Sequence, residues 1–149
     1  MSRDNRGFTL IELLIVVAII GIIAAIATPN LMRMYDKALQ KATMANMKQI
    51  SMAIEQYQIQ ENHYPEEAGD VAGSLDQHIE PIFIRQCPDV DGWGNPLQYS
   101  SEGTSYTLRS YGKNGVEDAI KAGGGESDNF NADLVFSDGS WIQKPKGKS

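Results

Sequence analysis

The chain has 149 residues, a net charge of −6 and a single cysteine. That length holds one small domain beside an appended segment. The charge excludes nucleic-acid binding driven by the chain's overall charge, because phosphate contact needs clustered Lys and Arg. One cysteine excludes an intrachain disulfide framework.

Residues 1–7 carry Arg3, Asp4 and Arg6, and an apolar run follows. From Leu13 to Met32 no side chain is charged, yet Glu12 sits inside the head of the run. A charge near mid-bilayer costs roughly 2.5–3.5 kcal/mol on insertion scales, so such a residue as a rule has a partner or a function. A secretory signal has a shorter apolar core, about 7–15 residues, then a small-x-small cleavage site. This run approaches the roughly 20 residues that span a bilayer. A plain membrane anchor explains the length and leaves Glu12 unexplained. Arg3 and Arg6 are flanking positives that keep residues 1–7 cytoplasmic and predict export of the rest.

Beyond Pro29 the apolar residues fall at Leu31, Met34, Tyr35, Ala38, Leu39, Ala42, Met47, Ile50, Ala53, Ile54 and Tyr57. That is helical periodicity with one apolar stripe. The opposite face carries Arg33, Asp36, Lys37, Lys41, Lys48, Gln49, Glu55 and Gln56. The helix should stop near Glu61 and Asn62, ahead of Tyr64-Pro65, because the residue before a proline avoids the α region. One helix over residues 8–61 is therefore expected, with residues 8–28 in the membrane or a filament core, and a globular part over 62–149. Gly21 and Pro29 weaken that helix, by about 1 and ~3 kcal/mol respectively relative to good helix formers. A static kink is one consequence.

Residues 87–101 read CPDVDGWGNPLQYSS. Asp91-Gly92, Gly94-Asn95 and Pro96 are turn signals around Trp93, which is expected to plug the core. Strands are expected at 97–101 and 105–110. A hairpin is expected at 132–137 and 140–143 around Asp138-Gly139. Cys87 reads as a small buried apolar residue. His63 and His78 show no metal spacing, and Lys144, Lys146 and Lys148 read as a solvated tail.

Residues 112–133 are rich in Gly, Asn and acidic side chains. Oxygen donors there are Asn114, Glu117, Asp118, Glu126, Asp128, Asn129, Asn131 and Asp133. Asn129-x-Asn131-x-Asp133 is not an EF-hand loop: Leu134 replaces the turn glycine and Ser140 stands where the bidentate Glu belongs. Composition by itself favours an acidic solvated loop. No Gly-x-Ser-x-Gly, His-Glu-x-x-His, phosphate loop or zinc spacing is present, so a membrane-anchored enzyme has no visible site.

The stretch Gly7-Phe8-Thr9-Leu10-Ile11-Glu12 resembles the N-terminus of type IV pilins and type II secretion pseudopilins. The segment D-x-W-G-N-P-x-x-Y followed by YTLRSYGKNG is similar to that of the major pseudopilins. The resemblance implies an α+β pilin-like fold, a long N-terminal helix packed by a small antiparallel sheet. It implies removal of residues 1–7 by prepilin peptidase, which cuts between Gly7 and Phe8 and methylates Phe8. It implies that Glu12 meets a neighbouring subunit's terminal amine, and that the segment bounded by Gly21 and Pro29 melts in the filament. The subunit would insert once in the inner membrane with a periplasmic C-terminal domain. It would then build a homopolymeric filament with an assembly platform, its ATPase and minor pseudopilins, and would catalyse nothing. A type II secretion pseudopilus is the expected filament; a surface type IV pilus for adhesion, motility or DNA uptake is the alternative. The lone cysteine tilts against the latter, since many such pilins carry a disulfide. The resemblance also implies a structural Ca²⁺ in the acidic loop, with Asp133, Asp128 and Asn114 as ligands. Two departures bear on that ion. Asn114 stands where the family usually has Asp, and residues 116–123 lengthen the loop. Without an ion, those extra residues replace it by packing.

Overall fold

A computed structural model describes residues 8–120 and 124–147. Residues 1–7, the expected leader ending at Gly7, residues 121–123 and residues 148–149 lie outside the described residues. The chain divides into two compact units, one up to Asp36 and one from Lys37 onward.

Helix α1 runs Leu10–Glu61 without interruption and contains Pro29. It starts after Thr9, whose carbonyl accepts the Leu13 N–H at 3.3 Å. It ends where the sequence places the end. Asn62 adopts φ 65°, a left-handed cap that asparagine tolerates. Pro29 carries no N–H, so the carbonyl four residues back loses its intrahelical donor.

In the second unit α1 packs on one face of a sheet. The strands are β1 Ala68–Asp70, β2 Gln98–Ser101, β3 Tyr106–Ser110, β4 Gly125–Ser127, β5 Leu134–Ser137 and β6 Ser140–Pro145, with a short helix α2 at Asp76–Ile79. Their order is β1-β2-β3-β5-β6-β4. Neighbours are antiparallel except β4 and β6, which pair in parallel, so the expected antiparallel sheet is mixed at one edge. The expected strands β2, β3, β5 and β6 form; β1, β4 and α2 carried no sequence signal. Short edge strands of three residues are too brief to show alternation.

Period-two alternation on β3 turns Tyr106, Leu108 and Ser110 inward and leaves Thr107 and Arg109 on the other face. Met47, Ile50 and Ile54 of α1 join Val71, Leu75, Ile79, Leu97, Tyr99, Leu108 and Phe136 in one core, all but Phe136 at 0–1% exposure. At roughly 25 cal/mol per Å² of apolar surface, such burial is the main term holding the unit together. Leu31, Met34 and Tyr35, on the same sequence stripe, remain 64–71% exposed.

One expectation fails. Trp93 does not plug the core; it is half-buried at the turn and absent from the core cluster. The residue that pins the turn is Asp91, 4% exposed. Its Oδ1 accepts the N–H groups of Trp93 and Asn95, both at 2.9 Å, and its Oδ2 accepts the Ser110 hydroxyl at 2.8 Å. Glu55, on the polar face of α1, is half-buried. Its oxygens accept the hydroxyls of Tyr106 at 3.2 Å and Tyr64 at 3.3 Å. The Tyr106 hydroxyl also contacts Ser51 Oγ at 2.9 Å, and burial pushes its pKa up to about 12.

Candidate functional site

Two regions carry the sequence's functional candidates. The first is the start of α1. The large apolar side chains from Phe8 to Ile26 are between 45% (Val16) and 80% (Leu10) exposed. The helix is long and apolar enough to cross a membrane, with mean hydropathy 3.0 over its most apolar stretch. Glu12 lies among these side chains. It is not uncompensated within the single chain: its Oε2 accepts the Thr9 N–H at 2.9 Å and the Thr9 hydroxyl at 2.7 Å. The Glu12 N–H points back to Thr9 Oγ1 at 3.4 Å. This is the reciprocal Thr-x-x-Glu capping box, legible in the sequence and missed there. A carboxylate accepts about four hydrogen bonds, so Glu12 keeps capacity for another donor. Gly21 has nothing near a would-be Cβ. The hydroxyl of Thr28, beside Pro29, donates to the Ala24 carbonyl at 2.7 Å.

The second region is the connection from β3 to β5. Gly112 opens it at φ 65°; a Cβ there would stand 2.8–2.9 Å from the carbonyl oxygens of Phe130, Asn131 and Ala132. Only glycine lets the two ends of the loop approach so closely. Asn95 Nδ2 donates to the Gly112 carbonyl at 2.7 Å, tying the loop to the Asp91 turn.

Of the residues expected to hold calcium, only Asp133 is buried, at 1% exposure. Asn114 and Asp128 are exposed, and Asn114 Oδ1 accepts the Val116 N–H at 3.3 Å. Asp133 faces a cation already. Arg109 Nε donates to Asp133 Oδ2 at 2.7 Å, with Nη2 2.6 Å from the same oxygen. Nη1 donates to Glu117 Oε1 at 2.5 Å, and Nη2 also reaches the Asp118 carbonyl. The Asp118 N–H donates to Asp133 Oδ2 at 3.1 Å. Burial pushes the Asp133 carboxyl above its ordinary pKa, and the Asp118 N–H and Arg109 pull it partly back.

Calcium takes six to eight oxygens. Among the described residues no three His, Cys, Asp or Glu side chains gather to hold a metal. Two buried oxygens, Asp133 Oδ1 and Gln143 Oε1, have no hydrogen-bond partner among them. They fall well short of a shell, and a divalent ion beside Oδ1 would share its carboxylate with the Arg109 guanidinium. A divalent ion and a guanidinium about 5 Å apart repel by roughly 7 kcal/mol at an effective dielectric of 20. Asn114, Asp128 and Asp133, as placed, do not fit a calcium shell.

Comparison with known proteins falls in step with these two regions. The prokaryotic N-terminal methylation motif matches residues 2–28, which take in the first region. The model of the type II secretion system (T2SS), protein G, matches residues 30–129, and the chain belongs to that family. Proteins called type II secretion system core protein G are similar to it. The one from Pseudomonas aeruginosa is 32% identical over 138 residues, 78% of this chain and 91% of that protein. That from Vibrio cholerae is 30% identical over 128 residues, 77% of this chain and 87% of that protein. That from Escherichia coli K12 is 29% identical over 131 residues, 82% and 83% of the two. No solved structure matches the chain.

Proposed function

We propose that the chain is the structural subunit of a type II secretion pseudopilus, assembled through its N-terminal helix into a filament that drives protein export. The observation that carries this is the joining, in one chain, of an exposed apolar helix headed by Glu12 to a domain of the protein G family. In water that apolar surface is costly, so before assembly it lies in a membrane and afterwards against its neighbours' helices.

On this reading prepilin peptidase removes residues 1–7 and methylates Phe8, and the new amine of one subunit meets Glu12 of another. The contact is a charge-assisted hydrogen bond in low dielectric. The subunit crosses the inner membrane once with its domain in the periplasm. The inner-membrane platform, its ATPase and the minor pseudopilins act on it, and the reading assigns the chain no catalytic step.

The test combines processing and export. Mass spectrometry of assembled subunits should find methylated Phe8 as the first residue. Deleting the gene in its host should leave folded exoproteins in the periplasm. An intact Met1 in filaments would overturn the processing, and undiminished export would overturn the pseudopilus in favour of a surface pilus.

A further inference from the structure

We propose that the guanidinium of Arg109 is the resident cation of the loop between β3 and β5, ordering it without a metal ion. A loop that places a buried carboxylate beside further acidic oxygens needs positive charge to fold, because an unpaired buried carboxylate is costly. Here that charge is covalently attached to β3. The Arg109 side chain is 14% exposed and its partner Asp133 fully enclosed. One guanidinium serves three acceptors from two parts of the loop: Asp133 Oδ2 at its end, Glu117 Oε1 and the Asp118 carbonyl near its start.

The register makes this possible. Arg109 pairs with Val135 across the β3–β5 ladder, and Asp133 lies two residues before Val135. The two side chains therefore share one face at diagonal distance, within reach of a long side chain. The guanidinium also lies 5.4 Å from the centroid of the Tyr111 ring, which helps hold it in place. A planar fork with five donors suits three separated acceptors; a lysine ammonium is a point charge on a flexible stem. Glu117 and Asp118, near the start of the loop, supply the partners that complete the fork. The proposal concerns the loop's cation alone and stands whichever filament the chain builds.

The test uses the full chain in detergent micelles. Its melting temperature should be the same in millimolar CaCl2 and in EGTA; a calcium-dependent rise of several degrees would overturn the proposal. Arg109→Gln should speed proteolytic cleavage within residues 112–133 by about tenfold or more, as loss of charged hydrogen bonds raises the open population. Arg109→Lys should recover only part of that protection. Cleavage at the wild-type rate in Arg109→Gln would equally overturn it. The comparison with and without calcium needs no variant and stands if Arg109→Gln does not fold.

Discussion

The N–H of Gly92 donates to Oγ1 of Thr43 at 2.8 Å, joining the Asp91 turn to helix α1. A Cβ on Gly92 would stand 2.4 Å from the Leu39 carbonyl oxygen, backbone that cannot swing aside. Gly92→Ala should therefore destabilise the fold by roughly 1–3 kcal/mol, the cost of overpacking. Thr43→Val should cost about 1 kcal/mol for the lost hydrogen bond. Denaturant titration of the full chain reads both, and a neutral Gly92→Ala would show that the turn does not dock on the helix.

Glu12 has a local use in the helix cap and, in the proposed filament, an intersubunit one; two variants separate them. Thr9→Val removes the hydroxyl but keeps the Thr9-position N–H, at a cost of about 1 kcal/mol in capping. It should leave filaments forming. Glu12→Ala should leave membrane insertion intact and cut filament yield severely. Sheared-filament yield is the measurement; normal yield from Glu12→Ala would reduce the residue to a helix cap.

In the single chain α1 is helical through residues 21–29. In the filament that segment should lose its i→i−4 hydrogen bonds, since Gly21 and Pro29 bracket it and neighbouring helices shield the freed groups from lipid. A filament map with continuous helix through residues 24–27 would contradict this.

Cys87 is buried and free, and burial pushes its thiol up to about 12. At pH 8 iodoacetamide should label the native chain far more slowly than the denatured one, because the thiolate is the nucleophile. The linkage follows the same sign. The native state holds the proton that the unfolded thiol releases near pH 8.5. This stabilisation is complete below that pH and is lost as pH rises toward about 12. Equal labelling rates would mean that the thiol is accessible.

The sequence by itself determined the long helix, its stop at Asn62 and the Asp138-Gly139 hairpin, because period, cap and turn chemistry are local. It also carried the N-terminal methylation motif, which needs only adjacency. The tertiary structure decided what depends on distant residues. Glu55 reads only as a residue of the helix's polar face until two tyrosines, from the connection before β1 and from β3, close on it. Trp93 reads as the core plug until the ladder places Ser110 against Asp91 and makes the aspartate the pin. Arg109 carries no signal in the sequence, and Asp133 reads as a calcium ligand. Only the β3–β5 register brings one to the other, since long-range pairing, unlike a cap or a turn, leaves no spacing to read.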